Sequence, residues 1–255
     1  MDTNCRRLDR RGFLTGSTAV IGAAGLPPLI MMVAACGQQA ASGSTPAATA
    51  TSGPVLPRPA TPEEALRRLE EGNQRFVAGK PIHPNQTLEL RQNLAGSQMP
   101  YASILGCADS RTSPELVFDA GVGDLFVCRV AGNIATPADT ASLLYSQAVL
   151  GSEVLFVLGH DNCGALKAAI DVANGQPAGE FAPLTDTLQP AVAAARGTGA
   201  TGYALLAAAT AANVRMVMAA LPRMSTGIAQ AVGSGKLTIV GGVLHLADGK
   251  VEMLK

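Results

Sequence analysis

The chain has 255 residues, 47% of them hydrophobic, with 19 basic and 19 acidic side chains, five cysteines and no tryptophan. That length and apolar share suffice for one domain with a sizeable core, and a formal charge of zero leaves no basic footprint for nucleic acid. Abundant alanine and a charged fraction of only 15% suit helices packed closely on a buried sheet.

The N-terminal stretch reads as an address rather than as fold. Asp9-Arg10-Arg11-Gly12-Phe13-Leu14 resembles a twin-arginine export signal, and an uncharged, largely apolar segment follows from Leu14 to Ala35. The segment is also about long enough to span a bilayer, but Pro27-Pro28 and its glycines favour a signal peptide, residues 1–35. Val33-Ala34-Ala35-Cys36 looks like a lipobox, in which Cys36 is lipidated and becomes the new N-terminus. The alternative is a chance cysteine behind a signal. Either way the expected destination lies across the bacterial cytoplasmic membrane, periplasmic or at the cell surface, with membrane contact only through the signal or the lipid. Residues 36–60 are mostly small, polar or proline, with Arg58 as their only charge, and read as a flexible tether. Removing 1–35 leaves 15 basic against 17 acidic side chains, a formal charge of −2.

The folded domain is expected over 61–255. Thr61-Pro62-Glu63-Glu64 is a helix start: an N-cap, proline at the first helical position, then acids in the first turn. The helix is predicted to about Ala78, with Leu66, Leu69 and Phe76 on one side, either as an arm on a neighbouring subunit or packed on its own domain. A polar loop places His83 at the surface, and a short helix spans 89–98. Strands are predicted over 101–105, 125–130, 154–158 and 237–243, and helices over 138–150, 163–174, 184–195 and 203–221. Short runs of Val, Leu and Ile separated by helical stretches indicate a buried parallel sheet. The fold class is therefore α/β: a central, mostly parallel sheet of four strands plus a short edge strand, flanked by helices, with an N-terminal helical arm.

Two polar clusters follow the first and third strands. Cys107-Ala108-Asp109-Ser110-Arg111 places a thiol, a carboxylate and a guanidinium at alternate positions, which share a face if extended geometry persists there. In Gly159-His160-Asp161-Asn162-Cys163-Gly164, His160 and Cys163 can hold one metal from a turn that opens a helix. Together with Cys107 they make a Cys2His set that leaves a fourth tetrahedral position free, the pattern of catalytic zinc sites. From spacing alone the alternative stays open that two buried thiols and a hydrogen-bonded core histidine merely pack. Both clusters sit at the carboxyl ends of strands, where sites in such sheets lie.

These clusters resemble the two signatures of the β-class carbonic anhydrases, Cys-x-Asp-x-Arg and His-x-x-Cys. Gly123 to Asn133 is similar to that family's second strand and its Arg-x-Ala-Gly-Asn turn, here Arg129-Val130-Ala131-Gly132-Asn133. The resemblance runs from about Thr61 to Leu254. It implies one zinc ion per subunit on Cys107, His160 and Cys163, and reversible hydration of carbon dioxide to bicarbonate and a proton. It makes Asp109 and Arg111 a dyad, Arg111 holding the carboxylate off the metal while Asp109 accepts a hydrogen bond from the attacking water; in some members the aspartate instead closes the site. Gln98, Phe126, Tyr145 and Gly164 match substrate-pocket positions, the tyrosine arriving from a neighbouring subunit of a homodimer or larger assembly. Two thiolates neutralise the ion more than imidazoles would, so activity is expected to favour alkaline pH. Asp161 and Asn162 are expected to cap the following helix, and Cys128 remains without a role.

Departures from the family are visible too. Leu144 stands where a glutamate is common, Leu244-His245 replaces a usual Tyr-Asp, and members regulated by a second bicarbonate site use a tryptophan that this chain lacks. His245 could assist proton transfer or be structural. Competing functions are hydrolysis of carbon disulfide or carbonyl sulfide by the same triad, and a zinc-bearing surface lipoprotein that binds without turnover; the intact Asp109 and Arg111 speak against the latter.

Overall fold

The computed structural model describes residues 53–254. The export signal, the lipobox Cys36 and most of the expected tether lie outside them. Residues 53–60, expected to end that tether, run extended along the domain: Asn85 N–H donates to Pro54 O, Leu56 N–H to Asn85 Oδ1, and Arg58 Nη2 to Gly151 O.

A five-stranded sheet forms the centre, from β1 (Ala102–Gly106), β2 (Leu125–Arg129), β3 (Val154–His160), β4 (Thr238–Leu244) and β5 (Val251–Leu254), in the order β2-β1-β3-β4-β5. The first four are parallel and β5 pairs antiparallel with β4, making it the short edge strand. Every residue of β1 and β3 is buried, because helices cover both faces. The alternation of a strand then sorts β3: Phe156 and Leu158 pack with Leu69, Val117 and Phe118, while Leu155 and Val157 pack with Val214, Leu221 and Ile228.

The first of those faces is covered by α1 (Pro62–Val77) and α3 (Pro114–Val117); α2 (Leu88–Asn93) lies in the connection between α1 and β1. Thr61 caps α1, its side chain accepting from Glu64 N–H, as the sequence predicts. The helix lies against its own domain: buried Asn73 donates to Val117 O and Gly249 O and accepts from Val251 N–H. Asp119 accepts from Arg75 Nε at 2.6 Å and from the amides of Ile82 and exposed His83.

On the other face lie α4 (Pro137–Ala148), α7 (Gly202–Met224) and α8 (Thr226–Gly233), and α5 (Gly164–Ala173) with α6 (Ala182–Arg196) complete the layer beside α7. The 23 residues of α7 are long and apolar enough to cross a membrane. Its Leu206, Ala209, Val214, Val217 and Leu221 are instead buried in the core. The expected helix at 89–98 is shorter, ending at Asn93 before a 3-10 turn over Leu94–Gly96. The short α3 and the glycine-bearing α8 were not anticipated.

Candidate metal centre

Where β1 ends, the chain turns and Cys107 follows at once, 4% exposed. His160 is the last residue of β3, since that strand runs two residues further than its apolar stretch and pairs Gly159 with Val243 and His160 with Leu244. Cys163 is the N-cap of α5. Neither Asp161 nor Asn162 caps that helix, contrary to expectation: Asn162 takes a left-handed φ of 53° to make the turn, and Asp161 points to the β4–β5 hairpin, accepting from Leu246 N–H. The result is three buried residues from two strand ends and one helix start whose ligand atoms lie within 4.8 Å of one another.

The donor set of this group could hold a metal ion. His160 Nδ1 lies 2.7 Å from Asp161 O, so the proton sits there and the lone pair on Nε2. That Nε2 is buried with no hydrogen-bond partner among the described residues. A buried polar nitrogen left unpaired costs free energy, and here it lies beside the sulfurs of Cys107 and Cys163. The Cys107 thiol is pushed down to about 4 by a hydrogen bond from Cys163 and, against the effect of burial, by the neighbouring His160 and by backbone amides. Its Sγ accepts from Gly132 N–H at 3.3 Å. Cys163 is correspondingly pushed up by its bond to Cys107 and by burial, so one proton serves both sulfurs. Burial opposes charge on His160, but the adjacent Cys107 thiolate outweighs it and raises the imidazole. A soft divalent cation resolves all three demands at once, and two sulfurs with one imidazole are donors that suit zinc.

Asp109 and Arg111 stand at the rim. Arg111 grips the carboxylate with Nε to Oδ1 at 2.8 Å and Nη2 to Oδ2 at 2.7 Å, and its own N–H adds a third bond at 3.0 Å. These bonds hold Asp109 well below the ordinary carboxylate range, so it stays an anion and an acceptor. Asp109 Oδ2 lies 3.9 Å from His160 Nε2, next to the ligand set and not within it.

Of the pocket residues expected from sequence, Gly164 directly follows Cys163 and has open space where a side chain would be. Phe126 on β2 and Tyr145 on α4 face each other in one chain, ring centroids 6.4 Å apart, and Tyr145 remains 48% exposed. Gln98 precedes β1 and is exposed, at the opposite end of that strand from Cys107, so one subunit does not bring it to the ligand set. Sequence reasoning missed two partners of the site. Thr112 Oγ1 donates to Cys107 O and Asp109 O, and the Arg129 guanidinium donates to the same two carbonyls. His245 lies between Asp161 (3.6 Å) and Glu252 (3.1 Å), tying the ligand turn to the β4–β5 hairpin.

Comparison with known proteins agrees with this architecture. The profile of the family described as carbonic anhydrase matches residues 102–251. A carbonic anhydrase of Mycolicibacterium smegmatis is 40% identical over 194 residues, covering 75% of this chain and 93% of that protein. Carbonic anhydrase 2 of Mycobacterium tuberculosis is 39% identical over 194 residues, covering 75% and 92%. Among solved structures, the β-carbonic anhydrase CcaA superposes with a TM-score of 0.60 at 27% identity, covering 74% of this chain and 95% of that one.

Proposed function

The chain belongs to the β-class carbonic anhydrase family, and from that premise we propose that Cys107, His160 and Cys163 hold one zinc ion per subunit and that the site interconverts carbon dioxide and bicarbonate. The observation that carries the zinc assignment is the buried, unpartnered Nε2 of His160 beside the sulfurs of Cys107 and Cys163, the three ligand atoms lying within 4.8 Å of one another. Zinc at such a site supplies Lewis acidity, generating a nucleophile from water near neutral pH.

The remaining work falls to side chains and backbone. Asp161 O fixes the His160 tautomer by accepting from Nδ1, and Gly132 N–H supports the Cys107 sulfur. Asp109, kept anionic by Arg111, orients the attacking water by accepting its hydrogen bond. Because Arg111 occupies both carboxylate oxygens, the arrangement favours the open site over one in which Asp109 becomes a fourth ligand. Gly164 leaves room for the backbone to approach substrate, and in an assembly of at least two subunits Phe126 and Tyr145 line the apolar side of the pocket, Tyr145 arriving from a neighbour, while Gln98 hydrogen-bonds substrate. Support for that assembly is the exposure of Tyr145 together with Leu88, Met99, Leu116 and Val149.

We also propose that the enzyme is exported, with residues 1–35 as signal and Cys36 lipidated. Support comes from the Arg10-Arg11 motif and from the metal-bound thiols, which gain from loading before they meet an oxidising compartment. Cell fractionation and mass analysis of the mature N-terminus test this: Cys36→Ala should release the protein from membranes, and an unprocessed cytoplasmic chain would refute it. For the activity, His160→Ala should lose both bound zinc and hydration together; a variant that keeps zinc in full would refute the assignment of ligands.

A further inference from the structure

The loop from Cys107 to Arg111 lies beyond the sheet, so the sheet ladder alone cannot hold it. Its backbone ties are Ala108 N–H to Val130 O at 3.3 Å and Thr112 N–H to Asp109 O at 3.1 Å. The carbonyls of Cys107 and Asp109 also accept from outside the loop: Arg129, exposed at the end of edge strand β2, takes both, Nε donating to Cys107 O at 2.8 Å and Nη2 to Asp109 O at 2.5 Å. Nε and Nη2 share one edge of the guanidinium, whose donors are fixed in a planar fork. Both oxygens must therefore turn toward that edge. This rigid fork couples the residue that supplies a sulfur to the residue that supplies the acceptor.

We infer that Arg129 is a positioning residue for the reaction: by clamping the two carbonyls it sets where the Asp109 carboxylate stands relative to the Cys107 and His160 ligand atoms. Thr112 Oγ1 reaches the same oxygens from within the loop, so Arg129 is the part of the clamp that comes from another strand and fixes the loop to the sheet. The guanidinium fork is essential to this role. A lysine at this position has the charge but no planar pair of donors.

The inference rests on the metal reading, and its test separates the two. Arg129→Met, Arg129→Lys and the wild-type full chain are compared by amide hydrogen exchange over residues 107–113, by visible absorption after loading with cobalt(II), and by CO2 hydration. In Arg129→Met the amides of Ala108 and Thr112 should exchange about tenfold faster or more, the cobalt spectrum should change shape, and kcat should fall about tenfold with KM little altered. Arg129→Lys should fall between, and thermal unfolding should shift little, because an exposed side chain leaves no cavity. Exchange and spectrum identical to wild type would overturn the role of Arg129, whatever the rate does. Should Arg129→Met not fold, the lysine variant decides by the same two readouts. A wild-type chain that takes up no cobalt would instead remove the metal reading, while the exchange comparison still decides whether Arg129 holds the loop.

Discussion

Gly132→Ala tests the packing behind the metal centre. Gly132 has a φ of 74°, a left-handed backbone that costs an L-residue roughly 1–2 kcal/mol. A Cβ there would also lie 3.1 Å from Leu188 Cδ1 and 3.2 Å from Ala165 Cβ. The leucine end can rotate away. Ala165 cannot, since its Cβ moves only with the backbone of α5, so crowding adds about 1 kcal/mol. The sum, about 2–3 kcal/mol, corresponds to a loss of roughly 5–10 °C in Tm for a domain near 200 residues. The displaced helix carries Cys163 at its N-cap, and Gly132 N–H is the donor to Cys107 Sγ, so zinc affinity should fall about tenfold or more as well. Thermal unfolding followed by circular dichroism, with metal analysis after dialysis against a graded chelator, measures both. A variant with wild-type Tm and wild-type zinc retention would refute the account of this turn.

Other perturbations have directions fixed by the same contacts. Arg111→Met should let the Asp109 carboxyl rise toward the ordinary range, moving the acid limb of the pH–rate profile upward. Because Asp109 is depressed in the folded state, the stability it gains from Arg111 is present above about pH 4 and fades as pH falls below that, so the Tm gap between the two proteins should narrow in acid; an equal gap at every pH would contradict this. Asp119→Ala strips buried acceptors from Arg75 and from the amides of Ile82 and His83, and should cost about 2–4 kcal/mol in chemical denaturation without changing zinc content. Stripping the metal with a chelator at neutral pH should expose the Cys107 and Cys163 thiols to a thiol reagent, two more per chain than in the loaded protein.

The sheet was legible because its strands are short apolar runs whose neighbours cover both faces; seven of the eight boundaries of the parallel strands came within a residue. The exception is informative. β3 continues through Gly159 and His160 because pairing with Val243 and Leu244 extends it, and no apolar residue signals that. Ser225 marks the start of α8, its side chain accepting from Ile228 N–H, so a capping signal was present ahead of a helix too short and glycine-bearing to stand out. That Cys107, His160 and Cys163 come together beside a paired Asp109 and Arg111 was expected from their places after strand ends and from the family resemblance, spacing alone leaving simple packing open. Asp161 and Asn162 were misread because cap-forming residue types do not reveal φ, and the turn needed Asn162 in the left-handed region. Arg129 could be placed in a motif but not given a task, since its task is a contact with Cys107, 22 residues earlier in a loop beyond β1.

The central claim is that three residues from two strand ends and a helix start make a zinc centre that hydrates carbon dioxide. The most direct test measures zinc content and stopped-flow CO2 hydration from pH 7 to 9 on the same preparation, beside Cys163→Ala. The account predicts about one zinc per chain, hydration that rises across that range, and loss of both in the variant. Full zinc occupancy with no hydration at any pH, or undiminished hydration in Cys163→Ala, would contradict it.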